Sequence, residues 1–456
     1  MFSRIFQRFV ERSPIPVMVQ VLLERALSAD KLNRLFERVT DEQYTRTLLF
    51  SSVFELMHLV VFKTFPSVHA AYKEKDEQIG VSLTSVYNKL NGLASNTSAA
   101  LVRETAAEKA QIIDALGGPR PSWRPGYRIK VLDGNCIEAS EHRLEVLRET
   151  QAGALPGKSL VVYDPALEMA TDVFPCEDGH AQERSLLEQV LSTIDKREVW
   201  ITDRNFCVRH FLLGIAERDG YFICREHQGL SWEALNSPQY VGQSESGKLY
   251  EQWIQIVDDQ GQAHTYRRIT VRLKTATRDG DTELFILTNL SKSAANAKLI
   301  AQLYRRRWSI ETLFQELEAH LHSEINTLGY PKAALFGFCV ALVAYNVLAV
   351  VKAALRTLHG EQTIDNELSG YYLASNIART HDGMMIALPE GEWVVFQTMP
   401  LPKLAEVLLD LASNVKLSKF RKSRRGPKKK PPKRDKYSNH NHVSTANLLN
   451  GKKPRE

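Results

Sequence analysis

The order of apolar patterns between Arg128 and Arg225 constrains the fold of this chain more than any other feature. Three segments have the short apolar runs of β-strands, and they are followed in turn by a helix, a strand, a helix and a strand. The seven segments are Arg128–Gly134, Ser159–Tyr163, Met169–Phe174, Ala181–Ile194, Glu198–Thr202, Phe206–Arg218 and Tyr221–Arg225. This order predicts an α/β domain.

Two of these strands are followed by acidic residues. Asp133 comes at the end of the first strand and Asp203 comes directly after the fourth. An Asp at such a position is more often a turn former than a ligand, so neither residue alone identifies a site.

A third acid lies on a later helix. No Gly or Pro occurs between Ala297 and His322, and apolar residues recur there at steps of three and four, so we expect one amphipathic helix. Tyr304, Arg307 and Glu311 have the spacing i, i+3, i+7 and should share one stripe of it. A phenol, a guanidinium and a carboxylate together could act on a phosphodiester. The alternative is a solvated face on which Arg307 and Glu311 form a weak ion pair.

These residues resemble a known family. The pattern Tyr-x2-Arg-x3-Glu over residues 304–311, within the wording Arg-Arg-Arg-Trp-x-Ile-Glu-x-x-Phe over residues 305–314, is similar to DDE-class bacterial insertion-sequence transposases. It corresponds to the branch named for insertion sequence four, which carries a Tyr-Arg-Glu-Lys signature. Asp-Gly at residues 133–134 and Asp-Arg-Asn-Phe at residues 203–206 match that family's wording around its two aspartates.

The resemblance implies a fold and a domain arrangement. The expected fold is a ribonuclease-H-like α/β catalytic core, with a β-rich insertion between the second Asp and the Glu and a mainly helical N-terminal region. The expected domains are a DNA-end-binding region at 1–120, the core at 121–225 and 297–355, the insertion at 226–296, a helical region at 356–415 and a basic disordered tail at 416–456.

The resemblance also implies an activity. Asp133, Asp203 and Glu311 would be the catalytic and metal-binding acids, and three such acids can hold two Mg²⁺ ions roughly 4 Å apart, with Mn²⁺ as a substitute. Tyr304, Arg306 and Arg307 would contact DNA. The enzyme would bind terminal inverted repeats, cleave the DNA ends and join them to target DNA. An aromatic of the insertion, for which Trp253 is a candidate, would stack on an unpaired base, although a core role for Trp253 is the commoner one.

One position departs from the signature. The Lys expected at the end of the pattern is Glu318 here. We interpret Glu318 as lying off the catalytic path and pairing with His322 at i+4, while a basic residue elsewhere takes the role of the Lys.

The N-terminal region contains a candidate recognition helix. Ser and Thr residues precede a short helical pattern in residues 81–92, which ends in Asn-Gly. As part of a helix-turn-helix it would present Thr84, Ser85, Asn88 and Lys89 to DNA. The alternative is a short packing helix.

Charge is concentrated at the C-terminus. The chain carries a net charge of +6, whereas residues 416–456 have 15 Lys and Arg and only 2 Asp and Glu, a net of +13. The rest of the chain is therefore net negative, at −7. A basic tail with Pro and Gly is expected to be disordered and to bind nucleic acid without sequence preference, or otherwise to aid solubility.

One long uncharged segment and the cysteines bear on where the protein is located. Residues 333–351 contain no charge, yet Lys332 and Lys352 bracket them and no second apolar span exists, so we expect a core helix and no membrane contact. Five scattered cysteines indicate neither a zinc site nor a disulfide framework. We expect a cytoplasmic, nucleoid-associated protein that binds double-stranded DNA and forms a homodimer in the DNA complex.

Two other functions remain open at this stage. The first is a metal-dependent, structure-specific nuclease on the same fold, which would cut DNA but not join strands. The second is a non-catalytic DNA-binding regulator of transposition, and the presence of all three acids argues against it.

Overall fold

The N-terminal region is helical in the computed structural model, which describes residues 3–40, 47–138, 140–148, 150, 152–277, 280–423 and 442–452. Its helices are α1 (Arg4–Arg12), α2 (Pro14–Leu27), α3 (Ala29–Val39), α4 (Phe50–Val61), α5 (Val68–Ile79), α6 (Leu83–Gly92) and α7 (Ser95–Ala115). Gly80 ends α5 in the left-handed conformation, with φ of 65°, and the chain then turns directly into α6.

The next segment forms the first half of the central sheet. Its elements are β1 (Arg128–Ile137), α8 (Glu145–Arg148), β2 (Gly153–Leu155), β3 (Gly157–Asp164), β4 (Met169–Cys176), α9 (Leu187–Leu191), β5 (Glu198–Thr202), α10 (Arg209–Glu217) and β6 (Tyr221–Arg225). A 3₁₀ turn, Glu183–Leu186, precedes α9. The helix predicted over Ala181–Ile194 is thus a 3₁₀ turn and a short α-helix.

Strand pairing within this half is mixed. β1 lies between β3, which is antiparallel to it, and β5, which is parallel to it. β4 pairs antiparallel with β3, and β6 pairs parallel with β5. The order across the sheet is therefore β4-β3-β1-β5-β6, with the helical crossovers placed where parallel strands require them.

The predicted insertion at 226–296 continues the same sheet. It forms β7 (Glu233–Ala234), β8 (Gln239–Gln243), β9 (Gly247–Val257), β10 (Ala263–Leu273) and β11 (Glu283–Thr288). β11 pairs antiparallel with β6, and β10 and β9 follow it, which gives a ten-stranded sheet. The insertion is β-rich, and it widens the central sheet.

Six further helices follow the sheet, and the first three of them pack against its strands. They are α11 (Ala297–Arg305), α12 (Ser309–His320), α13 (Pro331–His359), α14 (Glu361–Glu367), α15 (Gly370–Ala387) and α16 (Leu401–Ser413). One apolar core runs without interruption from Phe6 in α1 through α13 to Phe420. The N-terminal helices, α13 and the C-terminal helices therefore share a core.

α13 is the only helix among the described residues that is long and apolar enough to cross a membrane. Its most apolar 18-residue window is completely buried inside the protein. It packs against α7, α4 and β4, so in this structure it is the central core helix that the bracketing lysines predicted.

The C-terminal segment differs in part from the expected disordered tail. Residues 442–452 form β12 (His442–Ser444), which pairs parallel with β2, and α17 (Thr445–Leu449). The side-chain amide of Asn447 donates to both carboxylate oxygens of Asp178, at 3.0 and 3.1 Å. Residues 424–441 and 453–456, which carry most of the predicted basic tail, lie outside the described residues.

Candidate active site

The two predicted aspartates lie side by side at the end of a parallel strand pair. In the register between β1 and β5, Leu132 lies opposite Thr202. Asp133 and Asp203 are the next residues along each strand, so the parallel pairing brings them to the same edge of the ladder. The two acids named from the sequence therefore lie on or directly after adjacent parallel strands.

The sequence pattern suggested that Asp133 ends its strand, but β1 extends beyond it to Ile137. β1 continues for four more residues because β3 pairs with it as far as Ile137. Asp133 is therefore held within a paired strand, opposite Val161. The backbone N–H of Gly134 donates to Asp133 Oδ1 at 2.9 Å, which fixes one carboxylate oxygen.

The helix that carries the third acid is interrupted. The expected continuous helix between residues 297 and 322 is α11, a 3₁₀ turn over Arg306–Trp308, and α12. In a 3₁₀ turn residues three apart lie directly above one another. Arg307 is buried, as is Tyr304 three residues earlier, while Arg306 and Trp308 are exposed.

Arg307 joins two of the three acids. One guanidinium nitrogen, Nη1, donates to Asp133 Oδ2, and the other, Nη2, donates to Glu311 Oε1 at 3.0 Å. Arg307 is only 7% exposed. The planar guanidinium thus forms a fork between a carboxylate of β1 and a carboxylate of α12.

Tyr304 contacts the remaining acid. Its hydroxyl donates to Asp203 Oδ1 at 3.2 Å, and its ring is buried. Burial and the adjacent Asp203 carboxylate raise the pKa of Tyr304 well above its usual value, so the hydroxyl keeps its proton. The structure therefore brings together all five residues Asp133, Asp203, Tyr304, Arg307 and Glu311.

Among the three acids, Asp133 has a clearly shifted pKa. Burial raises the pKa of Asp133 to about 6, and the nearby Asp203 and Glu183 carboxylates also raise it. The Arg307 guanidinium and the Gly134 N–H act in the opposite direction. Because an ordinary Asp has a pKa near 3.8, this carboxyl is unusually easy to protonate.

Carboxylate oxygens are the ligands that Mg²⁺ prefers, so the donor chemistry of this site suits that ion. In the arrangement described, however, no three His, Cys, Asp or Glu side chains of the described residues lie close enough together to hold a metal ion. Arg307 lies between Asp133 and Glu311, which accounts for the separation of these two acids. The third nitrogen of this guanidinium, Arg307 Nε, is buried and has no hydrogen-bond partner among the described residues.

Glu183 is a fourth acid at this site that the sequence did not single out. A Cβ atom on Gly134 would lie 2.0 Å from Glu183 Oε1, so the carboxylate rests against this glycine. Asn205 in the loop after Asp203 donates to Glu183 Oε2 at 3.4 Å. Only the absence of a side chain at residue 134 admits this approach, and a Gly directly after a candidate acid was the available indication.

Two exposed side chains border the site. Trp308 is 63% exposed, although its spacing had assigned it to the apolar face of the helix. The guanidinium of Arg306 lies 5.4 Å from the centre of the Trp123 ring. Trp253, the stacking candidate, is half-buried on β9, where Lys292 lies 5.7 Å from its ring centre.

The expected pairing of Glu318 with His322 is wrong. α12 ends at His320, so the helical i, i+4 geometry does not reach His322, whose backbone N–H instead donates to Val61 O. Glu318 is exposed. A cation does reach this end of α12, since Lys63 Nζ donates to the carbonyl of Ala319 at 3.2 Å.

The candidate recognition helix is present as α6, capped by Ser82. Thr84, Ser85 and Asn88 are exposed, as predicted for residues that face DNA. Lys89 differs from the prediction: its ammonium group lies 4.6 Å from the centre of the Phe36 ring, and burial lowers its pKa. Lys89 is therefore directed toward the helical core.

Comparison with known proteins places this geometry in a family context. Residues 124–347, just under half of the chain, match the family model described as the transposase DDE domain. The chain is 25% identical over 197 residues to transposase y4zB of Sinorhizobium fredii, covering 42% of this chain and 52% of that protein. It is 24% identical over 269 residues to InsL, a transposase for insertion sequence element IS186A of Escherichia coli K12, covering 50% of this chain and 68% of that protein.

A further relative is the transposase for insertion sequence element IS421 of Escherichia coli, at 24% identity over 269 residues, or 50% of this chain and 67% of that protein. A solved structure of piggyBac transposase in a synaptic complex with hairpin DNA aligns over 84% of this chain and 87% of that chain, with 9% identity and a TM-score of 0.35, which is too low to support an argument. The chain spans about half of the length of the first relative. It is therefore similar to insertion-sequence transposases, and the matched segment includes Asp133, Asp203 and Glu311.

Proposed function

We propose that this chain is an insertion-sequence transposase of the branch named for insertion sequence four, which cleaves DNA ends and joins them to target DNA. One observation carries the proposal. Asp133, Asp203 and Glu311, which match the acidic positions of the family pattern, meet at one site together with Tyr304 and Arg307.

The sheet topology supports a ribonuclease-H-like core. The chain order of three strands, a helix, a strand, a helix and a strand forms one mixed sheet, β4-β3-β1-β5-β6, in which the first three strands pair antiparallel and the last two continue parallel to β1. Two of the acids lie on its adjacent central strands, and the third lies on a helix that packs against β1. The widened sheet from β7 to β11 occupies the place of the β-rich insertion.

Asp133, Asp203 and Glu311 are the residues that would hold Mg²⁺ or Mn²⁺. When bound, two such ions activate an attacking water or 3′-hydroxyl and stabilise the leaving oxygen. The guanidinium of Arg307 has the fork geometry that grips two oxygens of one phosphate. Tyr304 donates to Asp203 and so restrains that carboxylate.

DNA is the proposed partner, in keeping with the transposase names of the relatives. Arg306 is exposed beside the site, where its charge is available to a phosphate. The exposed face of α6, with Asn88, is a second proposed contact. Pairing of two DNA ends would require two copies of the chain, so we propose a homodimer in the DNA complex.

The test of this function removes the acids one at a time. Asp133→Ala, Asp203→Ala and Glu311→Ala should abolish cleavage of a labelled end fragment in Mg²⁺ while leaving DNA binding nearly unchanged, because phosphate contacts dominate affinity. Glu188→Ala, which removes a well-exposed acid of α9, is the matched control and should cleave normally. Near wild-type cleavage by any of the three variants would remove that residue from the proposed site.

Strand joining separates a transposase from a nuclease. The wild-type chain, given a pre-cleaved end with a free 3′-hydroxyl and a target duplex, should produce a joined product. Cleavage without any joined product would favour a metal-dependent nuclease on the same fold.

A further inference from the structure

We propose that Arg307 occupies the cation position of the proposed site in the metal-free chain, so that loading of a divalent cation requires this guanidinium to leave its two carboxylates. The inference rests on the proposed function, because it concerns how the same acids are made available. It assigns Arg307 a role before the reaction, in addition to the phosphate contact that the family resemblance implies.

The contacts of Arg307 carry the first step of the argument. The same guanidinium donates to Asp133 Oδ2 on β1 and to Glu311 Oε1 on α12. No other residue in the described parts of the chain forms an ion pair with either acid. A single positive charge is therefore shared by the two carboxylates, and it occupies space between them that a cation held by the same acids would also need.

Competition follows from charge and geometry. The carboxylates that accept from Arg307 are two of the three that would have to approach a metal ion at roughly 2 Å. A guanidinium held between the same two carboxylates would repel a divalent cation, and burial weakens solvent screening of that repulsion. Arg307 and the cation should thus exclude one another from Asp133 and Glu311.

The third acid is already open. Asp203 forms no ion pair among the described residues, and one of its oxygens accepts only the hydrogen bond from Tyr304. Asp203 is therefore not paired with Arg307, whereas Asp133 and Glu311 both are. Release of Arg307 would free the two acids that it contacts.

A phosphodiester offers Arg307 an alternative partner. Its two free oxygens match the guanidinium fork as well as a carboxylate does. Buried Arg307 Nε has no hydrogen-bond partner in the described part of the chain, so the present arrangement leaves one donor unsatisfied. A DNA phosphate at the mouth of the site would draw Arg307 outward and free Asp133 and Glu311. Binding of DNA and binding of metal should then reinforce one another, and this coupling is reciprocal.

The first experiment measures Mn²⁺ binding to the full-length chain by isothermal titration calorimetry without DNA. It is done at pH 8, well above the pKa of about 6 for Asp133, because loss of Arg307 removes a charge that keeps this carboxyl ionised. We expect Arg307→Gln to bind Mn²⁺ more tightly than the wild type, by roughly 5- to 150-fold, the usual range for coupled equilibria. Arg305→Gln, an exposed neighbour that pairs with Glu245, should leave the affinity unchanged.

A second variant protects the test against misfolding. Met at residue 307 keeps much of the apolar length of the side chain and removes the positive charge. If thermal unfolding shows that Arg307→Gln is not folded, Arg307→Met should still bind Mn²⁺ more tightly than the wild type. Equal or weaker Mn²⁺ binding by the folded variants would overturn the inference.

The second experiment adds a short DNA duplex, with the duplex alone as the blank for Mn²⁺ binding. The duplex should raise the Mn²⁺ affinity of the wild type and should have little effect on that of Arg307→Gln. An equal effect on both proteins would also overturn the inference.

Asp133→Asn distinguishes failure of this inference from failure of the proposed function. If Asp133→Asn binds Mn²⁺ as well as the wild type, the proposed metal site itself is wrong. If Asp133→Asn loses binding while Arg307→Gln shows no gain, the metal site stands and only the role assigned to Arg307 is wrong.

Discussion

At the scale of single residues, the site contains charges that stability alone would not select. Asp133 is largely buried within β1 and lies near Asp203 and Glu183, and its pKa is raised accordingly. A perturbed carboxyl in contact with a buried arginine is typical of functional sites, although ion-pair networks can produce the same effect. Two predictions belong to this scale.

The first concerns the pH dependence of stability in the metal-free chain. Between about pH 4 and pH 6 the folded chain holds a proton on Asp133 that the unfolded chain releases, so this residue's contribution to stability falls as pH rises through that window. Asp133→Asn cannot ionise and should lose this decline, which is on the order of 2–3 kcal/mol. Urea unfolding at pH 4.5 and pH 7 measures it. A pH dependence identical to that of the wild type would show that Asp133 is not perturbed.

The second concerns Glu318, where the family pattern has Lys. Glu318 is exposed near the end of α12, more than one helical turn beyond Glu311. Seven residues at about 1.5 Å each separate the two acids by roughly 10 Å, too far to share an ion. Glu318→Ala should therefore cleave within a few-fold of the wild type when assayed beside Glu311→Ala. Loss of cleavage in a folded Glu318→Ala protein would show that the alignment of the pattern is wrong.

At the scale of elements, the helix α13 fixes the outer edge of the sheet. Asn346, fully buried in this helix, accepts from Ala170 N at 2.9 Å and donates to Ala170 O at 2.7 Å. β4 is an edge strand of the sheet, so beyond it no further strand is available to pair with the N–H and C=O of Ala170. The polar residue in the middle of an apolar helix thus completes the hydrogen bonding of a strand.

A substitution tests this contact. Asn346→Leu should lower the free energy of unfolding by about 2–5 kcal/mol, because it leaves a buried N–H and a buried C=O unsatisfied. Asn366→Leu on the exposed face of α14 is the matched control and should change it by no more than about 0.5 kcal/mol. Chemical unfolding of the three proteins gives the comparison. Equal stability of Asn346→Leu and the control would mean that water or a small shift replaces the amide.

At the scale of the whole molecule, the ends of the chain are tied to the catalytic region. The N-terminal helices and the helices after α13 share one core. The segment at 442–452 pairs through β12 with β2, which lies between β1 and β3 in the chain. Deleting everything after Val415 would therefore remove structure as well as charge.

Charge can instead be removed by substitution. Replacing Lys428, Lys429 and Lys430 with Gln should make the plot of log DNA affinity against log salt shallower, because fewer counterions are released on binding. The free energy of unfolding should not change. Lys196 and Lys403, two exposed lysines outside the proposed DNA-contacting regions, are replaced together with Gln as a control for the loss of positive charge elsewhere on the surface. An unchanged slope in the tail variant would indicate that these lysines serve solubility.

The sequence by itself predicted the elements of the α/β region and named the residues of the proposed site. Strands β5 and β6 have the limits that the apolar pattern predicted, since buried strands produce short uninterrupted apolar runs that local periodicity reveals. Asp133, Asp203 and Glu311 could be named because each follows or lies on a recognisable element. Exposure of Thr84, Ser85 and Asn88 followed from the period of a single helix.

Only the tertiary structure decided how these parts meet. The contact of Arg307 with Asp133, 174 positions away in the chain, and the approach of Glu183 to Gly134 lie beyond the range of local periodicity. Extension of the sheet through β11 and the return of β12 to β2 are pairings whose register no single strand encodes. Lys89 was misplaced for the same reason: the pattern of α6 gives a half-exposed face, but the ring of Phe36 that its ammonium group contacts belongs to another helix.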